Sequence, residues 1–425
     1  MKEKAIRALR WSERYTKTDM VYFMRGNTWL NIGRMTSILN GLILSIALAH
    51  LLTKEAYGTY AFALTVIGLF SMAQTSGLGG GITKEVALGH YAVVFHGLKK
   101  ILPWSIAGAI GLGFAGLYYY AVDNTDLAVS FVVGAAVLPI LISNGVAKSF
   151  FSAKGDFQTL VRFNLIRTPF ATLALLIAAS LSQSAVVVVV TSILTNTLMG
   201  YLLNRKMRSS KGFQEMCEAP STFPNRFAFH TGFLSICSYI SEQIDDILLW
   251  KFAGAAPVAT YAYALAPVRE LRSIVENPSA LALPKFAQKE FSSVRTTLAF
   301  RIKQMYLIAV PLVILYILAA PFIFQHLFPR YIDAVPISQL ASLSLLAAPR
   351  KFMNAAITAH QKIRESYLTI IIPSVIRVIA ASILIPLFGI EGAVIALLTS
   401  EAIDYILLGV IMRMYRNKAV SPNTQ

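Results

Sequence analysis

Apolar length fixes the fold class of this chain before any motif does. A helix that crosses a bilayer needs roughly 20 mostly apolar residues. Twelve stretches meet that requirement, at approximately 27–52, 57–77, 101–121, 127–149, 163–182, 185–204, 228–252, 257–283, 303–327, 335–357, 366–387 and 390–412. Backbone N–H and C=O groups inside hydrocarbon must be satisfied within the segment, so runs of this length read as helices. The mean hydropathy of +0.60 and a charged fraction of only 14% place the chain outside the soluble globular range. An all-α integral membrane protein of twelve transmembrane helices is expected. Pro103, Pro139, Pro169, Pro267, Pro278, Pro311, Pro349 and Pro373 fall inside spans or at their edges, where they mark kinks.

The connecting segments set the orientation. Lys and Arg collect on every second loop: Lys2, Lys4, Arg7, Arg10, Arg14, Lys17 and Arg25 at the start, then Lys84, Lys99 and Lys100, then Lys148, Lys154, Arg162 and Arg167. They recur in 205–226 and 285–303, at Lys362 and Arg364, and at Arg413, Arg416 and Lys418. The intervening loops hold only Lys54, Lys251 and Arg330. Cytoplasmic loops carry the basic excess, so both termini are expected in the cytoplasm. The net charge of +17 then faces an anionic leaflet and points away from nucleic acid. Residues 1–26 lack the pattern of a cleavable signal peptide and read as a basic segment able to lie on the membrane surface. Cys217 and Cys237 offer no disulfide framework, and six scattered histidines offer no metal spacing, so no metal site is expected.

The chain also repeats itself. Thr59-Tyr60-Ala61-Phe62-Ala63-Leu64 returns as Thr260-Tyr261-Ala262-Tyr263-Ala264-Leu265, 201 residues later, each copy opening a span after a short outer loop. Two six-helix lobes in a parallel pseudo-repeat follow, related by an axis along the membrane normal. The expected plan is a basic segment at 1–26, an N-lobe at 27–204, a basic linker at 205–227, a C-lobe at 228–412 and a tail at 413–425.

Particular residues now suggest a family. Leu52-Thr53-Lys54-Glu55-Ala56-Tyr57-Gly58-Thr59-Tyr60, followed by Gly77-Leu78-Gly79 and Lys84-Glu85-Val86, resembles the first-hairpin signature of bacterial polysaccharide transporters. Gln243-Ile244-Asp245-Asp246 with the second Thr-Tyr-Ala stretch, and Phe388-Gly389-Ile390-Glu391-Gly392-Ala393, resemble later segments of the same family. The resemblance is to the Wzx-type oligosaccharide flippases of the multidrug/oligosaccharidyl-lipid/polysaccharide (MOP) exporter superfamily. It implies a MATE-like fold in the bacterial inner membrane and a substrate of undecaprenyl-pyrophosphate-linked repeat units. It also implies contact with membrane lipids and with polysaccharide polymerase and other assembly proteins.

Charge inside the apolar stretches carries the functional reading. The stretch 236–276 holds Glu242, Asp245, Asp246, Arg269, Glu270, Arg272 and Glu276. Charges at bilayer depth are costly and face a polar cavity or one another. Six cations fall within predicted spans: Arg34, Arg269, Arg272, Arg350, Lys351 and Arg377. Arg34, Arg269, Arg272 and Arg377 are candidates for a cationic cavity that binds a pyrophosphate, since the guanidinium fork matches phosphate oxygens. The plainer reading is internal salt bridging, for example Arg272 with Glu276 or Arg269 with Asp245. Arg350 and Lys351 read as cations snorkelling to the interface. Asp245, Glu242, Asp246 and Glu401 are candidates for charge pairing or for a coupling ion, H+ or Na+; Glu401 and Asp404 serve equally as partners for Arg377. Asn31, Asn40, Gln74, Asn144, Asn164 and Asn196 read as polar contacts between helices.

No cofactor is expected, because no phosphate-cradling GxxxxGK[ST] loop is present. The leading reading is a transporter that flips lipid-linked oligosaccharide by alternating access. A multidrug or organic-cation antiporter of the same superfamily is the alternative, and it calls for an acidic cavity. A membrane polymerase or glycosyltransferase needs a sizeable outer loop for its reactive groups. Asp123-Asn124-Thr125-Asp126 is too slight for that, so the chain is not expected to be an enzyme.

Overall fold

A computed structural model of the chain describes residues 20–87, 89–210, 213, 225–287, 291–359 and 363–420. Residues 1–19 of the basic segment expected at 1–26, most of the linker and the end of the tail lie outside the described residues, while residues 20–26 form the start of the first helix. The described chain is helical and holds no strand. In order run α1 (Met20–Leu51), α2 (Lys54–Ala87), α3 (Val93–Ala121), α4 (Thr125–Ala153), α5 (Phe157–Leu181) and α6 (Ala185–Arg208). They are followed by α7 (Asn225–Ala253), α8 (Ala255–Ala287), α9 (Phe291–Leu327), α10 (Val335–Ser342), α11 (Arg350–Ala359) and α12 (Ile363–Val420). Short 3-10 turns, Pro329–Ala334 and Leu343–Ala347, flank α10.

Seven helices among the described residues are long and apolar enough to cross a membrane, and the bent run Pro329–Ala347 with Arg350–Ile357 makes an eighth if it is one span. Length and composition alone therefore do not reach twelve. Two reasons are visible. Helices α2, α7 and α8 are not among those counted, α7 and α8 carrying the charges described below, and one apolar helix, Arg364–Met414, is 51 residues long. Drawn straight it would measure about 77 Å at 1.5 Å per residue, over twice the hydrocarbon thickness. It breaks at Gly389, whose φ of 56° and ψ of −126° are open to glycine and strained for other residues. Gly392 closes the same corner: a Cβ there would lie 2.2 Å from the Leu384 carbonyl oxygen. The two arms correspond to the apolar stretches 366–387 and 390–412.

The helices form two compact units. One gathers α1, α3–α6, the part of α2 from Phe70 onward and the start of α7 up to Gly232; the other gathers α2 up to Leu69, α7 from Phe233 and α8–α12. In the first unit α3 packs along α4, α4 along α6, and α1 along α5. Asn124 accepts from the Leu127 N–H at 3.1 Å to start α4, and Asp156 accepts from the Thr159 N–H at 3.0 Å to start α5. Val93, Val94, Phe150, Phe151, Leu203 and Met207 form a buried core at one end.

In the second unit α8 is the hub, touching α9, α10, α11 and α12. Gly254, at φ 88°, turns the chain from α7 into α8. The start of α2 is fastened to this hairpin. A Cβ on Gly58 would stand 1.8 Å from the Ala255 carbonyl oxygen, so only glycine permits the approach. The Tyr57 and Tyr263 rings lie 4.5 Å apart, and Phe62 stacks on Trp250 at 4.4 Å. Lys54 pairs with Asp333 at 2.8 Å, and Arg330 donates to the Leu52 carbonyl at 2.8 Å. The Tyr-Gly-x-Tyr signature therefore has a packing cause. The two copies of the repeat share a register, each beginning five residues after its helix starts, with Tyr60 and Tyr261 both buried.

Large apolar side chains cover the outer faces of several helices, among them Leu181, Leu307, Leu318, Trp104 and Phe114. An exposed apolar surface of this extent suits lipid rather than water.

Candidate functional site

Two charge clusters lie within the second unit. The first is centred on Asp245 of α7, whose side chain is buried. Its Oδ2 accepts from the Tyr261 hydroxyl at 2.7 Å across the α7–α8 hairpin and from Arg377 Nη2 of α12 at 2.6 Å. Its Oδ1 and Arg377 Nε are buried without a hydrogen-bond partner. The next residue, Asp246, is rotated by about 100° on the helix and turns toward α2, where its Oδ2 accepts from the Thr65 hydroxyl at 3.0 Å. Adjacent acids thus fasten α7 to three helices, α8, α12 and α2.

The second cluster joins α8, α11 and α12. Arg272 donates to Glu276 at 2.7 Å, one turn along α8, and also donates to Glu401 of α12. Arg350 meets the same Glu401 at 3.4 Å and Asp404 at 3.2 Å. Lys351 stands 3.7 Å from Glu276. Glu401 and Asp404 lie one turn apart on α12, which lets a single guanidinium span both. Three cations face three carboxylates, so the cluster is close to neutral. Desolvation makes such a cluster poor as a source of net stability, and losing one partner strands a buried charge.

Arg269 stands apart. It lies one turn before Arg272 on α8 and is exposed, and no ion pair within 4.0 Å engages it among the described residues. Its charge reaches Asp246 of α7. Glu242 is also exposed, accepting from the Ser238 hydroxyl at 3.2 Å. Arg34 is exposed on α1 of the first unit. The structure therefore brings together Asp245 with Arg377, and Arg272 with Glu401, and leaves Arg269 and Glu242 outside both clusters.

Four participants escaped the sequence reading. Tyr261 lay in the repeat, where its conserved register said nothing of its hydroxyl. Arg350 and Lys351 read as interfacial cations because their acidic partners lie some fifty to seventy-five residues away in sequence. Arg167, counted with a cytoplasmic loop, lies ten residues into α5 and donates from Nη1 to Asn196 of α6 at 2.9 Å.

A chain whose described residues are helical, with an apolar exterior and charge clusters held between its helices, belongs to the class of multi-pass membrane proteins. The family follows from sequence: the model for the polysaccharide biosynthesis protein family matches residues 23–290, and the chain belongs to that family. A comparison with curated proteins returns no match. Among solved structures, the chain is similar to an inward-facing multidrug resistance MATE family transporter of the MOP superfamily. That match has 16% identity and a TM-score of 0.69, covering 93% of this chain and 100% of that one. It is similar to the lipid II flippase MurJ in an inward closed conformation, at 14% identity and a TM-score of 0.71, over 90% of this chain and 87% of that one. A MOP superfamily transporter from Pyrococcus furiosus, described by a binding pocket of reverse polarity, matches at 15% identity and a TM-score of 0.65, over 94% and 96%. These likenesses establish the MOP fold that the resemblance implied.

Proposed function

We propose that this protein flips a polyprenyl-pyrophosphate-linked oligosaccharide from the cytoplasmic to the outer leaflet of the bacterial inner membrane, by alternating access, for surface polysaccharide assembly. One observation carries the reading: Arg269 is exposed on α8 and outside every ion pair among the described residues, while Arg272, Arg350 and Arg377 in the same unit are matched by carboxylates. A pyrophosphate crossing a low-dielectric region requires a cation that is not already neutralised. Family membership supports a polysaccharide precursor as cargo.

The test is surface polysaccharide export. Arg269→Ala is expected to abolish export at near-normal protein abundance, and Arg269→Lys to retain part of it, because lysine keeps the charge and loses the planar fork. Wild-type export from Arg269→Ala cells would overturn the reading. The coupling ion, H+ or Na+, is proposed to act at Asp245, where it competes with the Arg377 guanidinium for the carboxylate. Asp245→Asn should remove the dependence of transport on the ion gradient while leaving substrate binding in place. A transport rate that still follows the gradient would exclude Asp245.

A further inference from the structure

The first unit holds a cation pair of a different kind. Arg167 of α5 and Lys148 of α4 lie within electrostatic reach of one another on helices that pack together with α6. Neither makes an ion pair within 4.0 Å among the described residues. The described carboxylates of this unit, Glu85, Asp123, Asp126 and Asp156, all lie at helix ends or turns. Glu85 is engaged by His90 at 2.9 Å, and Asp156 caps α5.

Arg167 is set about 15 Å along α5 from its start, well inside an apolar span. Its guanidinium is held from one side: Nη1 donates to the Asn196 carbonyl oxygen, and the Asn196 amide donates in turn to the Ser192 carbonyl at 2.9 Å. That arrangement fixes the plane of the fork. Nε is buried without an acceptor among the described residues. The Nε–Nη2 edge is the one that takes two oxygens of a phosphate. Lys148, exposed on α4 and within electrostatic reach, supplies a second positive charge. Two like charges with no acid between them repel one another, and a buried N–H without an acceptor is costly. A phosphoryl group relieves both at once.

We propose that Lys148 and Arg167 form a phosphate-binding site within the first unit, oriented by Asn196. This inference stands apart from the reading of Arg269. A phosphoryl group reaches a membrane protein from a prenyl pyrophosphate, from a phospholipid head group, or free in water, and the experiment separates the three. Full-length protein in neutral detergent is titrated with farnesyl pyrophosphate, with dioctanoyl phosphatidylglycerol and with inorganic pyrophosphate, reading binding and thermal shift. Every titration is repeated in the Arg269→Ala background, so that binding at α8 does not enter the result. Arg167→Gln and Lys148→Gln are each expected to weaken at least one of these probes tenfold or more, and the probe affected names the source. Arg167→Lys is expected to fall between, with charge kept and fork lost. Lys148 is exposed, so its variant tests the site even where Arg167→Gln fails to fold. Unchanged affinity for all three probes in Lys148→Gln protein would overturn the proposal.

Discussion

Asp245 and Arg377 show what a single ion pair demands inside a membrane helix bundle. The carboxylate is fully enclosed, and one of its oxygens takes both the Tyr261 hydroxyl and the guanidinium. Arg377→Gln strands that carboxylate, at an expected cost of about 3–5 kcal/mol. Adding Asp245→Asn removes the stranded charge and should recover a large part of the loss. Thermal unfolding of both single variants and the double variant gives the coupling, and strictly additive losses would show that the two side chains do not act as a pair. Asp245 was legible in the sequence because an acid in an apolar run is conspicuous. Its partner was not, since 132 residues separate them and only the fold decides which of several arginines arrives. The same limit hid the role of Arg350. Helical spacing reveals neighbours on one helix, as it did for Arg272 and Glu276, and is silent about α11 meeting α12.

At the scale of elements, glycines mark where backbones meet or turn. Gly58 lets α2 seat against the α7–α8 turn, and Gly389 with Gly392 folds α12 into two arms. Gly58→Ala places a Cβ against the Ala255 carbonyl oxygen and is expected to destabilise by about 1–3 kcal/mol, the range of an overpacked contact. Gly41→Ala on α1, where a Cβ meets nothing within 4 Å, should be neutral or slightly stabilising and serves as the reference. Equal unfolding temperatures for the two variants would contradict the packing assigned to Gly58. Span positions were readable from apolar length because hydrocarbon thickness sets that length. Helix continuity was not: the stretches at 366–387 and 390–412 look like separate helices in sequence, and the corner between them hangs on one positive φ.

For the molecule as a whole, the fold of the MOP superfamily and membership of the polysaccharide biosynthesis family are established, and transport, its cargo and its direction are the proposed steps beyond them. The proposed orientation puts the basic loops in the cytoplasm and the α7–α8 turn at the outer face. A cysteine introduced by Ala256→Cys should then react with a membrane-impermeant reagent applied outside intact cells; reaction only after permeabilisation would invert the topology. The central claim is that Arg269, a cation on α8 that no ion pair engages among the described residues, carries a pyrophosphate-linked glycan across the bilayer. Reconstituted vesicles loaded in one leaflet with a labelled prenyl-pyrophosphate-linked oligosaccharide measure this directly, by the rate at which the label becomes accessible to a glycosidase on the opposite side. Wild-type protein is expected to transfer the label, Arg269→Lys to transfer it more slowly, and Arg269→Ala to fall to the rate of protein-free vesicles. Transfer by Arg269→Ala at the wild-type rate, or no transfer by the wild-type protein, would contradict the account.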